Sequence, residues 1–132
     1  MSRKLARVLE KIEHASATPT LRQIRRGVEK ESLRVDANDT LSQLPHPPGL
    51  GSPLTHPSIT TDYSEALLEF ITPVEESVAG VLNQLEKTHR FAYQHLHQER
   101  LWVTSMPCIV HGDNSIPIAR YGSSNIGQMK HF

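Results

Sequence analysis

The sequence predicts an α+β fold on three observations: apolar residues at helical spacing near the N-terminus, extended segments at 21–35 and 59–71, and a strong helix start at Thr72. Residues 2–13 read as a short amphipathic helix. Leu5, Val8, Leu9 and Ile12 fall at i, i+3, i+4 and i+7, and Ser2 stands where a cap belongs. Residues 14–20 contain Ala-Ser-Ala-Thr-Pro-Thr and read as a connector, which sets 1–20 apart from 21–132. The first extended segment is interrupted at Gly27 and closed by a turn, Asp36-Ala37-Asn38-Asp39. Residues 41–57 carry Pro45, Pro47, Pro48, Pro53 and Pro57, which remove donors and predict a loop without a ladder. After the second extended segment, Thr72-Pro73-Val74-Glu75 has the form of a capping box with proline at the first helical position. It predicts a helix from Thr72 to about His97, with Val78, Val81, Leu82, Leu85, Ala92 and Leu96 on one face. A strand is expected over 101–110, a turn at His111-Gly112-Asp113-Asn114, and a loop over 121–127.

Composition excludes several functions. Lys+Arg and Asp+Glu are 14 each, so no basic excess exists to neutralise nucleic-acid phosphates. Apolar runs are as short as Ala66-Leu67-Leu68, against the ~20 residues a membrane span needs, and no signal-peptide core follows the basic N-terminus. The single cysteine, Cys108, rules out an internal disulfide framework and fits a reducing cytoplasm.

The chemical signal is strand parity. In Val28-Glu29-Lys30-Glu31-Ser32-Leu33-Arg34-Val35, alternation puts Glu29, Glu31, Leu33 and Val35 on one face and Lys30, Ser32 and Arg34 on the other, which reads as the wet one. Two carboxylates on an inward face repel and lose hydration, so a cation is expected beside them: a divalent metal, or Arg25 or Arg26. Glu69 repeats the anomaly inside the apolar stretch Ala66–Ile71, and Asp62 stands upstream. Antiparallel pairing would gather Glu29, Glu31, Asp62 and Glu69. Oxygen-only ligands select Mg²⁺ or Mn²⁺. The competing reading, a solvated strand edge, stays open on pattern alone. Glu65 reads as structural. Cys108 reads as a small packed hydrophobe, since no activating partner is apparent. His95 and His97, two apart on a helix, point away from one another.

At these residues the chain resembles the proteobacterial type of glutamate–cysteine ligase. The likeness runs through Gly27–Val35, Leu54-Thr55-His56, Ile59–Pro73, Glu99-Arg100, Ser105-Met106-Pro107-Cys108 and Tyr121–Gly127, in order, over about residues 21–130. It implies a glutamine-synthetase-like antiparallel sheet with packed helices. The implied activity is ATP-dependent joining of the γ-carboxyl of L-glutamate to the amine of L-cysteine through a γ-glutamyl phosphate, the first step of glutathione synthesis. It further implies Glu29, Glu31, Asp62 and Glu69 as ligands of Mg²⁺ or Mn²⁺. Tyr63 falls near the cysteine pocket and the loop with Tyr121 and Ser124 near a substrate; a packed aromatic and a plain connection are the competing readings.

Relatives of this kind are several times longer, so residues 21–132 are expected to be the N-terminal part of an incomplete catalytic domain, inactive alone. Half a sheet would leave an edge unpaired and apolar surface uncovered. The expected partners are glutamate, cysteine and ATP, with no nucleic acid and no membrane. Rival readings are a related glutamate ligase with another amine acceptor, and a truncated remnant that binds a partner.

Overall fold

The structure is a computed structural model and describes residues 2–17, 19–20 and 23–121. Helix α1 spans Arg3–His14, within a residue of expectation. The Ser2 hydroxyl accepts the Lys4 N–H at 3.3 Å, and Lys11 and His14 sit in the last turn, where the helix dipole favours positive charge. No residue of α1 is buried.

Strand β1 (Glu29–Val35) occupies only the second half of the first extended segment. Upstream, Arg26 and Glu75 exchange two backbone hydrogen bonds of 2.9 Å. The expected turn follows β1: Asp36 Oδ1 accepts the N–H groups of Asn38 (2.8 Å) and Thr40 (3.0 Å). The proline-rich loop makes one 3-10 turn at Pro48–Leu50, whose Leu50 enters the core.

The second extended segment is not one strand but a hairpin, β2 (Ile59–Thr61) and β3 (Leu67–Ile71). The reversal comes at Asp62-Tyr63-Ser64-Glu65, where the Leu67 N–H closes a turn onto the Ser64 carbonyl at 2.9 Å. The next helix also departs from expectation: α2 spans Val78–Tyr93 and is capped by Ser77, whose hydroxyl accepts the Gly80 N–H at 3.0 Å. Thr72 is drawn elsewhere, because its hydroxyl accepts the Val28 N–H at 2.9 Å while the Glu75 backbone pairs with Arg26. The box-like sequence therefore staples the ends of β1 and β3 together. Ser77→Ala is expected to lower stability by about 1 kcal/mol in urea unfolding; a silent substitution would return the cap to Thr72. The last strand, β4, is only Arg100–Leu101. One more ladder bond follows, Trp102 N–H to the Leu33 carbonyl at 2.8 Å, and the Ser105-Met106-Pro107 segment then leaves the sheet.

The four strands form an antiparallel sheet in the order β2-β3-β1-β4. Phe70, Leu68 and Ile59 pack on one face with Leu50, Leu101, Leu96 and Ala92, the last from α2. A second cluster, Val35, Leu41, Ala66 and Cys108, joins Leu33 and Trp102 at the far end of β1. Among the described residues no helix is long and apolar enough to cross a membrane.

Candidate functional site

The face opposite α2 carries the acids. Register sets Glu31 directly opposite Glu69, Glu29 opposite Ile71, and Glu69 opposite Thr60. The Arg34 N–H bonds the Ala66 carbonyl and the Thr72 N–H bonds the Val28 carbonyl, so the hydrogen-bonded pairs of β1 and β3 are the even-numbered residues of β1. Glu31 and Glu69 consequently form a non-hydrogen-bonded pair, the kind with Cα atoms only ~4.5 Å apart and the closest side chains. Two carboxylates placed so repel one another unless a cation intervenes. Asp62 follows β2 and stays in register through its N–H bond to the Leu67 carbonyl at 3.2 Å, one row from the Glu31–Glu69 row. Glu29 lies one row to the other side.

The structure thus joins Glu31 to Glu69 and sets Glu29 and Asp62 on the flanks. Among the described residues, no three His, Cys, Asp or Glu side chains close into a metal-holding group.

The inward orientation expected for this face is reversed. Glu29 and Glu31 are exposed and Asp62 and Glu69 half-buried, whereas Arg34, placed on the wet face by parity, is 0% exposed. The reason is a partner remote in sequence. Arg34 Nη1 donates to both oxygens of Glu99 (2.7 and 2.8 Å), and Nη2 donates to the carbonyls of Leu44 (2.9 Å) and Glu65 (2.8 Å). The Ser42 hydroxyl also donates to Glu99. Lys30, on the same face, is half-buried; burial lowers its pKa, and its ammonium donates to the Ser32 hydroxyl. Arg25 and Arg26 do not compensate the acids: Arg25 pairs with Glu76 at 3.8 Å and Arg26 Nη1 donates to the Glu76 carbonyl.

Tyr63 is exposed, and its carbonyl accepts the Ala119 N–H at 2.9 Å. The Tyr121 hydroxyl donates to the Thr61 carbonyl and lies 3.4 Å from that of Asp62. Its pKa is raised, first by burial and then by the negative charges of Asp62, Glu65 and Glu69. Ser124 lies outside the described residues. Cys108 is buried among Val35, Leu41 and Ala66, and burial pushes its thiol pKa up. Beside Glu31 a cleft of about 380 Å³ opens between Leu33, Leu67, Trp102 and Met106.

Sequence reasoning missed a buried polar hub beneath the Asp62 turn. Its members are Arg34, Ser42, Glu99, Glu65 and His46. His46 Nδ1 lies 2.9 Å from the Thr61 hydroxyl, and its pKa is lowered by burial and by the Arg34 charge. The signal available was Glu65, a carboxylate beside an apolar run; its partners are backbone N–H groups that sequence alone does not disclose.

An antiparallel sheet with a helix on one face and aligned carboxylates on the other belongs to the α+β class. Solved structures share the fold. A crystal structure of glutamate–cysteine ligase from Francisella tularensis in complex with AMP superposes with a TM-score of 0.74 at 43% identity, covering 80% of this chain and 21% of that one. A bifunctional glutathione synthetase from Pasteurella multocida matches with TM-score 0.74 at 32% identity, over 83% of this chain and 15% of that chain. The family model for glutamate-cysteine ligase matches residues 9–132, and the chain belongs to that family. Glutamate–cysteine ligase of Alcanivorax borkumensis is 57% identical over 117 residues, 89% of this chain and 22% of its own length. That of Pseudomonas aeruginosa is 55% identical over 131 residues, 99% of this chain and 25% of its own. The chain spans about a quarter of the length of these relatives.

Proposed function

We propose that this chain is the part of a glutamate–cysteine ligase that supplies metal-binding carboxylates. The whole enzyme would join the γ-carboxyl of L-glutamate to the amine of L-cysteine at the expense of ATP, through a γ-glutamyl phosphate, as the first step of glutathione biosynthesis in the cytoplasm. The observation that carries the reading is the Glu31–Glu69 pair, two like charges in the closest kind of cross-strand position within a family of ligases. Such a pair destabilises a bare sheet, and oxygen donors of this kind suit Mg²⁺ or Mn²⁺.

Glu31 and Glu69 would hold the ion, with Glu29 and Asp62 as flanking ligands. When bound, the ion would neutralise charge on the phosphates of ATP. Beside the acids the cleft at Trp102 offers space for substrate, and Tyr63, Tyr121 and Ser124 are the proposed substrate contacts. AMP in the Francisella neighbour supports nucleotide binding. The chain spans only about a quarter of the length of its relatives, and we propose that alone it is inactive; formation of γ-glutamylcysteine from ATP, glutamate and cysteine by the purified chain would refute that.

Glu31→Gln tests the site through two effects of opposite sign. It is expected to raise metal-free stability by a few tenths to about 1 kcal/mol, because a repulsion is relieved. It is also expected to weaken Mn²⁺ binding by tenfold or more in calorimetric titration. Unchanged Mn²⁺ affinity would overturn the metal reading.

A further inference from the structure

Glu65 is a fifth acid near the site, and it behaves unlike the other four. Its side chain is 3% exposed, and both of its oxygens are occupied by backbone donors: Oε1 accepts the His46 N–H at 2.8 Å and Oε2 accepts the Arg120 N–H at 2.6 Å. Its main chain is held as firmly. The Glu65 N–H donates to the Pro117 carbonyl at 2.8 Å, and its carbonyl accepts Arg34 Nη2 at 2.8 Å. Three chain segments far apart in sequence therefore meet on one residue of the turn that joins β2 to β3. That turn begins with Asp62, and its other contacts run the same way: the Ser64 hydroxyl donates to the Pro117 carbonyl and the Ala119 N–H to the Tyr63 carbonyl.

A carboxylate is the side chain that can accept two separate N–H groups from two segments at once, and burial makes each bond expensive to lose. We infer that Glu65 is a positioning residue, whose carboxylate ties the 46 loop and the 117–120 segment to the hairpin turn and thereby fixes Asp62 beside the Glu31–Glu69 pair. The inference rests on the metal reading proposed above. Glu65 does not touch the ion; it acts through Asp62.

The test is a double-mutant cycle on the chain, read as Mn²⁺ affinity from the loss of the free-ion signal in electron paramagnetic resonance. Glu65→Gln keeps the size of the side chain but turns an amide donor toward one of the two N–H groups. It is expected to weaken Mn²⁺ binding about tenfold, Asp62→Asn by a similar factor, and the double variant by no more than Asp62→Asn alone. A general structural role predicts instead that the two losses multiply, and that result overturns the inference. Arg120→Pro is the second variant: it deletes one N–H that Glu65 accepts, together with the exposed Arg120 contact to the Gln43 carbonyl, and leaves the carboxylate in place. A several-fold weakening that vanishes in the Asp62→Asn background is expected of it, and it decides the matter where Glu65→Gln does not fold. Normal Mn²⁺ affinity in both Glu65→Gln and Arg120→Pro overturns the inference while leaving the metal reading intact. No Mn²⁺ binding by the unmodified chain defeats the metal reading and this inference together.

Discussion

Glu99→Gln is expected to lower the free energy of unfolding by about 3–5 kcal/mol, a large fraction of the ~5–15 kcal/mol typical of a domain. Glu99 is 8% exposed and receives two guanidinium bonds from Arg34, which has no exposed surface at all. The glutamine is neutral and can accept with one oxygen only, so the arginine would be left as a poorly compensated charge in the interior. Water does not rescue it, because the surroundings are Ser42, the carbonyls of Leu44 and Glu65, and the underside of the sheet. The loss should be read as a fall in the urea midpoint at constant slope. The double variant Arg34→Met with Glu99→Leu removes both charges, and it should recover most of the deficit. A loss below about 1 kcal/mol for Glu99→Gln would mean that solvent already screens the pair.

Phe70→Ala is expected to cost about 3–5 kcal/mol, from lost burial and the cavity left behind. Phe70 is 0% exposed, sits between Lys30 and Ile59 in the ladder, and meets the edge of the His89 ring of α2 at 4.8 Å between centroids. Its removal would both open the main cluster and unseat the helix from the sheet. Val78→Ala, at an α2 position that is 61% exposed, should stay within about ±0.5 kcal/mol and serves as the control. Equal losses for the two variants would show that α2 is not anchored through Phe70.

Elements held by local interactions are legible in the sequence, and those held by remote partners are not. Helix α1 and the Asp36 turn are legible because their determinants lie within eight residues: the apolar spacing of Leu5, Val8, Leu9 and Ile12, and the Asp36 carboxylate over the following N–H groups. The α2 cap falls at Ser77 and not at the expected Thr72 because Thr72 has a competing donor, Val28, 44 positions away. The hairpin at Asp62 reads as one strand in the sequence because the turn carries neither glycine nor proline; it is made by backbone bonds to Ser64 and Pro117. In β1 the alternation was read correctly, but the two faces were exchanged. An arginine that shares its strand face with Lys30 and Ser32 reads as solvent-facing until Glu99 is seen to fold back onto it across 65 positions. The grouping of Glu29 and Glu31 on one face follows from period two alone, whereas bringing Glu69 to that face takes antiparallel pairing of the two strands, and its exact opposition to Glu31 takes the register.

The shortness of the outer strands has its own consequence. Among the described residues β4 pairs only with Arg34 and Val35, and one further bond reaches Leu33, so β1 keeps open main-chain donors and acceptors at Glu29 and Glu31 beyond the end of β4. A second polypeptide strand would find a short template for the ladder there. Because that stretch carries two acids, an added strand that opposes them with lysine or arginine is favoured over one that brings further carboxylates.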